Sequence, residues 1–299
     1  VSQATQLQTS YAGSRPLVGI GLLVVSTFSF AVQDAITKEL THLVPVAQIV
    51  ATRFFAFSIM AIIVAYYSIG LREAIRSAIP LRQTLRVLIM CFEIGLFAYG
   101  IRFLGLAEIH AIMACFPLIV TALSVPMLGE SVGWRRWLAV CAGFVGTIII
   151  LAPGADVFNV YALIPLACAF LYAVYNLMTR RVSRHDRFET SLLYFGLVGL
   201  AASAIVALPQ WQTMDYRTAG LLLAICGTSV FSHLLLIKAL ELTAAVILQP
   251  FNYLLLVWAI LLGYVIFGET LSITQLFGAL IVVISGIFIG YREYRLMRD

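Results

Sequence analysis

Phe30-Ala31-Val32-Gln33-Asp34-Ala35-Ile36-Thr37-Lys38 returns in the second half of the chain as Tyr172-Ala173-Val174-Tyr175-Asn176-Leu177-Met178-Thr179-Arg180. Each copy ends a long apolar stretch with two polar residues and a Thr-Lys or Thr-Arg close. A second echo, Leu128-Gly129-Glu130 against Phe267-Gly268-Glu269, closes another apolar stretch in each half. Glu108 and Ala111 precede the first of these stretches as Glu241 and Ala244 precede the second. Motifs recurring in the same order read as an internal duplication.

The segments carrying the echoes have the composition of a membrane. Of 299 residues, 62% are hydrophobic and 11% charged, with a mean hydropathy of +1.01, against about 45–50% and about 25% in soluble domains. That excludes a soluble enzyme, a nucleic-acid binder and a disordered scaffold. The stretches 16–33, 109–129, 137–155, 157–179, 190–214, 218–237, 242–268 and 270–291 contain no Asp, Glu, Lys or Arg. Each can cross a hydrocarbon core of about 30 Å as a helix rising about 1.5 Å per residue. Two further spans carry an internal charge, Arg53 in 45–69 and Glu93 in 83–104. Transmembrane strands would be shorter and would alternate apolar with polar residues, which these runs do not.

The expected fold is an all-α polytopic membrane protein of ten transmembrane helices, near 16–37, 45–69, 83–104, 106–128, 134–152, 158–179, 189–208, 217–238, 244–267 and 272–291. Residues 1–15 read as a disordered tail and not a signal peptide, because no basic flank precedes an apolar core. The first five-helix repeat covers 16–152, the second 153–291, and 292–299 reads as a basic cytoplasmic tail. One set of alternate loops holds fifteen basic residues: Arg15, Arg72, Arg76, Arg82, Arg86, Arg135, Arg136, Arg180, Arg181, Arg184, Arg187, Lys238, Arg292, Arg295 and Arg298. The other set holds three, Lys38, Arg102 and Arg217. Basic residues stay in the cytoplasm, so both termini are expected there. Because five is odd, the second repeat enters from the opposite face, and the two are inverted about an axis in the membrane plane. Inverted repeats around a midplane site are a common plan for secondary transporters. The plainer reading is that duplication merely builds a stable bundle.

Taken together, the "LGE" closing the fourth span, Pro117 within it, the "FGE" closing the ninth, Lys38, Arg53-Phe54 and the paired five-helix units resemble the EamA-type branch of the drug/metabolite transporter superfamily. The resemblance runs from about Gly19 to Gly290. It implies a secondary carrier of small metabolites in the bacterial inner membrane, often an amino acid exporter. Leu248-Gln249-Pro250-Phe251-Asn252-Tyr253 is similar to members of the exporter branch that include aromatic amino acid exporters.

Polar groups within apolar spans are costly and turn inward, which makes them candidates for function. Arg53 and Glu93 fall at similar depths on consecutive helices, so they are expected to pair or share a polar network. Glu93 is then either half of a structural ion pair or a site for a substrate amine or a proton. Gln33 and Asp34 are expected to face their repeat equivalents Tyr175 and Asn176. Asp34 and Lys38, spaced i,i+4, offer a local salt bridge that competes with a substrate role. His233 and His110 read as packing residues or as groups that titrate near neutral pH. Gln249, Asn252 and Tyr253 gather around Pro250, which breaks the hydrogen-bond ladder of its helix; Pro117, beside Phe116, is its counterpart. Tyr99, Tyr175, Tyr253 and Trp258 are candidate rings for a cavity, whereas Trp134, Trp137, Trp211 and Tyr216 fit interfacial belts. Lys38, Glu130 and Glu269 read as gate or loop anchors. Gly143, Gly146, Gly286 and Gly290 are expected to permit close helix packing.

Five cysteines without metal-ligand spacing read as buried thiols. No metal or cofactor is expected, and no P-loop or catalytic motif supports an enzyme. The expected partners are the lipid bilayer and a small-molecule substrate, without nucleic acid, in a monomer with a dimer as the alternative. The leading expectation is export of amino acids, aromatic or amphiphilic ones included, by alternating access. The alternatives are transport of a nucleoside-like or S-adenosylmethionine-like metabolite and, outside transport, an intramembrane enzyme or scaffold.

Overall fold

In a lipid core every backbone N–H and C=O must find its partner within the segment, so uncharged apolar runs fold as helices. The computed structural model describes residues 16–129, 133–151, 160–243 and 245–298, and among them no strand occurs. The α-helices are α1 (Pro16–Leu40), α2 (Val46–Ser68), α3 (Leu71–Ala74), α4 (Pro80–Gly100), α5 (Leu106–Met113), α6 (Phe116–Leu128), α7 (Trp134–Leu151), α8 (Leu163–Val182), α9 (Phe188–Ala207), α10 (Tyr216–Leu242), α11 (Ala245–Leu248), α12 (Leu254–Phe267) and α13 (Ile273–Arg298). Among the described residues eight helical stretches are long and apolar enough to cross a membrane. The two outside that set are α4, which carries Arg82, Arg86 and Glu93, and α7, whose apolar part is only Trp137–Ile150.

The helix ends follow local chemistry. Asp215 caps α10 by accepting a hydrogen bond from the Thr218 N–H at 2.9 Å. Gly129 and Gly268 end α6 and α12 in the left-handed region, at φ 70° and 66°. A side chain there would be strained, which explains the glycine of both "LGE" and "FGE". Two expected helices are interrupted. The 106–128 span breaks between α5 and α6 at Ala114 and Cys115, because Pro117 has no N–H to give the Met113 carbonyl. The 244–267 span becomes a 3₁₀ turn over Gln249–Tyr253, with Pro250 at its start.

The last helix overruns its expected end. The anticipated tail 292–299 is helical as far as Arg298, since it contains neither Gly nor Pro to stop α13. The expected 1–15 tail, the junction at 152–159 and Glu130 lie outside the described residues.

Packing joins the two halves of the chain. α1 lies along α10, α2 along α9, α4 along α8 and α7 along α13; α6 packs on α8, α12 on α1, α4 on α9, α10 on α2 and α5 on α12. The glycines permit this closeness. A Cβ on Gly146 would sit 2.8 Å from the Gly278 carbonyl, and one on Gly278 would sit 2.7 Å from that of Gly146. Gly143 receives Leu118, and Gly286 receives the Tyr253 ring. The polarity of a water-soluble fold is reversed: Phe55, Ile59, Ile63, Leu223, Val265 and Ile284 are exposed, whereas Gln33, Asp34, Arg53, Arg86, Glu93 and His110 are buried. An apolar groove of about 480 Å³ between α2, α9 and α10 opens among these exposed side chains and lies apart from the buried charges.

Candidate functional site

Three helices bring charge to the middle of the bundle: α1 with Asp34, α2 with Arg53 and α4 with Glu93. All three residues are buried, and Arg53 lies within electrostatic reach of both carboxylates. Arg53 and Glu93 nevertheless form no ion pair within 4.0 Å among the described residues. Of the two arrangements expected, a direct pair or a shared polar network, the pair is absent among the described residues; α2 packs chiefly along α9 and α4 along α8. Neither side chain makes a hydrogen bond among the described residues, and Arg53 Nε is sealed without a partner. Burying an ion without a partner costs several kcal/mol, so this centre is poised to receive polar atoms.

Asp34 takes a partner other than Lys38. Its Oδ2 lies 3.0 Å from His110 Nε2 on α5. Lys38 instead donates to the Leu104 carbonyl at 2.9 Å and pairs with Glu269, whose other oxygen accepts the Leu106 N–H at 2.6 Å. The local i,i+4 bridge loses because two distant partners can satisfy the ammonium at once. Gln33 accepts from Ser229 on α10 at 2.7 Å. Among the described residues Gln33 and Asp34 share no hydrogen bond with Tyr175 or Asn176; α1 runs along α10 and α8 along α4. Asn176 turns back to the Tyr172 carbonyl on its own helix, at 2.7 Å.

Rings surround these charges. Phe54, Phe57 and Phe195 cluster at 5.3 to 6.2 Å, and His233 lies edge-on to Phe57 at 4.7 Å and to Phe30 at 5.0 Å. On α8, Tyr172 meets Phe116 at 5.0 Å and stacks with Tyr175 at 6.2 Å. Tyr172 lies within electrostatic reach of Glu93, so this ring pair borders the charged centre. Arg86 sits beneath Tyr175 at 5.3 Å, bonded to Thr179, Gln83 and the Ser191 carbonyl.

The other candidates fall elsewhere. Tyr99 is 45% exposed and joins Phe103 and Tyr161 at the end of α4, outside the bundle interior. Tyr253 lies against Gly286 of α13, and Trp258 against Phe28 of α1 at 5.4 Å; among the described residues the hydroxyl of one and the indole nitrogen of the other are buried without hydrogen-bond partners. Asn252 is half-buried in the 3₁₀ turn with Pro250, while the side chain of Gln249 lies outside the described residues. Among the described residues no group of three His, Cys, Asp or Glu is placed to hold a metal ion. Arg86 and Tyr172 were not among the candidates from the sequence, where one counted as a basic loop residue and the other only as part of the duplicated segment. The signal for Arg86 was its place six residues into α4, where it looks like one more basic residue of a loop.

Each end of the bundle is tied by its own contacts. Beside Lys38 and Glu269 lies a polar cavity of about 310 Å³, lined also by Arg102, Glu108 and Gln275. At the opposite end of α4, Asp186 accepts from Ser77, from the Ala78 N–H at 2.7 Å and from Gln83 at 2.9 Å. Partial burial works against its charge, but these donors outweigh burial and hold the carboxyl below its ordinary 3.8.

Known proteins match this chain over nearly its whole length. The profile of the EamA-like transporter family matches residues 17–152 and again 159–291. A riboflavin transporter of Vibrio cholerae is 30% identical over 95% of this chain and 96% of its own. An S-adenosylmethionine uptake transporter of Rickettsia conorii is 27% identical over 94% of this chain and 95% of its own. A crystal structure of a protein 17% identical superposes with a TM-score of 0.65, covering 94% of this chain and 98% of that one, which speaks for the fold.

Proposed function

The chain belongs to the EamA-like transporter family, as a small-metabolite transporter and not an enzyme, and from that premise we propose that it is a secondary carrier of a small heteroaromatic metabolite. It works by alternating access between two inverted five-helix repeats. The helix packing supports a two-fold exchange of the repeats, because swapping them returns the main helix pairs, and an odd number of spans per repeat would make that relation an inversion. α1 along α10 becomes α8 along α4, α12 on α1 becomes α6 on α8, and α4 on α9 becomes α10 on α2; α2 with α9 and α7 with α13 map onto themselves. The two family matches divide the chain in the same way. By this correspondence α4 and α7 are spans like their equivalents α10 and α13, which makes ten. The basic loops put both termini in the cytoplasm, and the bacterial relatives favour the inner membrane.

The observation that carries the reading is the pair Arg53 and Glu93: opposite charges, both buried and neither hydrogen-bonded, between two groups of rings. A cargo with a flat ring system and polar appendages would complete both. It would replace the partners that the fold withholds, so binding energy compensates a desolvation cost already present. Riboflavin and S-adenosylmethionine, the cargoes named for the relatives, share that chemistry. They draw the reading away from the amino acids expected from the sequence.

Purified protein in liposomes should give saturable, ATP-independent flux of riboflavin, S-adenosylmethionine or both, exceeding that of every member of an amino acid panel. Flux of neither compound would refute the proposed cargo, and flux of amino acids alone would restore the first expectation.

A further inference from the structure

The contact between Asp34 and His110 has no role in the reading above. Both side chains are buried, Oδ2 and Nε2 lie 3.0 Å apart, and they join α1 of the first repeat to α5 across the interior. We infer that this pair is a proton-binding site that couples transport to the proton gradient. The inference rests on the carrier reading for its consequence and on geometry for its location.

The surroundings of the pair favour such a role. Arg53 from α2 and Glu93 from α4 act on Asp34, and the Phe97 ring covers His110 at 5.6 Å. From α8, Cys168 and Tyr172 face the same region. α12 and the stretch 273–291 of α13 carry no Asp, Glu, Lys, Arg or His, and the charged residues of α7 are Arg135 and Arg136 in its first turn. On the helix of His110 itself, Glu108 accepts from Gln275 at 3.3 Å. One turn beyond Asp34, Lys38 and Glu269 neutralise each other.

His233 supplies the contrast. Its Nδ1 donates to the Ser229 carbonyl at 2.8 Å and its ring lies against Phe30 and Phe57, with no carboxylate beside it. Of the two interior histidines, only His110 lies within hydrogen-bond distance of a carboxylate among the described residues.

The proton balance is simple. With neutral imidazole and ionised Asp34 the pair carries one negative charge and draws Arg53 toward α1. A proton entering from one side of the membrane adds to the imidazole, the pair becomes imidazolium and carboxylate with no net charge, and Arg53 is released toward Glu93 and the cargo. Loss of that proton to the other side restores the first state.

The same proton binds beside an interruption of its span. The main-chain carbonyl of His110 accepts the Ala114 N–H at 2.9 Å, where α5 ends before α6. A change in the tie between His110 and α1 therefore acts one turn from that break.

The test uses the full-length protein in liposomes. With riboflavin and S-adenosylmethionine as probes, a gradient of one pH unit should shift the steady-state distribution of the transported compound by up to roughly tenfold for one proton per molecule. His110→Gln should abolish that shift while flux down the cargo's own gradient persists; the readout is the steady-state ratio, so a slower variant stays informative. A wild-type ratio indifferent to the gradient, or a His110→Gln ratio that still follows it, overturns the inference.

A second arm needs no cargo. Deuterium exchange of the 106–118 segment, corrected for the intrinsic effect of pH, should change several-fold between pH 5.5 and 8 in the wild type and stay flat in both His110→Gln and Asp34→Asn. Exchange that is flat in the wild type overturns the proton switch even if neither compound is transported, a result that would separately defeat the proposed cargo.

Discussion

The lock at Lys38 and the centre at Arg53 handle buried charge in opposite ways. Lys38 has a carboxylate, a backbone carbonyl and the face of Phe267 at 5.2 Å, and its acid partner also holds the first N–H of α5. Arg53, one helix away, has two carboxylates in reach and bonds to neither. A satisfied charge fixes geometry, whereas an unsatisfied one stores an affinity for something else. In this molecule the first kind ties helix ends together and the second kind sits in the interior of the bundle.

Removing one partner of the lock should cost most. Glu269→Ala strands Lys38, 12% exposed, beside an unpaired Leu106 N–H, and should lower stability in detergent by about 3 kcal/mol. Thermal unfolding of the purified variant measures this, and a change below about 1 kcal/mol would erase the distinction between lock and centre. The reverse pattern should hold at the centre. Arg53→Met removes a charge that no group in the fold bonds, so melting should stay unchanged or rise while flux falls about 100-fold, equivalent to about 2.7 kcal/mol. A variant that melts early and still transports would show that Arg53 belongs to the scaffold.

Smaller effects sharpen the same contrast. Gln48 exchanges two hydrogen bonds with the backbone of Gln212, both at 3.1 Å, and fastens the start of α2 to the link before α10. Gln48→Ala should cost about 1–2 kcal/mol in melting and leave the affinity for cargo unaltered. Asp186 gives the smallest effect. Its carboxyl is held below the ordinary value, so the stability it adds is present at neutral pH and is lost as the pH falls through the lowered range beneath 3.8. The gain should stay under about 1 kcal/mol because the site is largely exposed to solvent. Asp186→Asn should flatten that acid limb in melting curves collected against pH.

The sequence was most legible where a residue acts through its own backbone. Pro117 and Pro250 marked the two interrupted spans because a missing N–H breaks a ladder whatever surrounds it. Gly129 and Gly268 marked two helix ends because only glycine adopts their φ without strain. Pairings were less legible. The spacing of Asp34 and Lys38 suggested a bridge, yet each went to a partner dozens of residues or more away, His110 for one and Glu269 for the other. Tyr99 looked like an interior ring until α4 was seen to turn it outward.

Composition and local motifs by themselves determined that the chain is a membrane-embedded bundle of apolar helices, where prolines interrupt two of its spans and glycines end two, and that its motifs occur twice. Those are properties of short segments in lipid, where an unpaired backbone group is too costly to leave open. Only the tertiary structure decided which buried charges are neutralised and which are left waiting. That outcome depends on which helices run side by side, and a few ångströms separate an ion pair from two charges that do not bond.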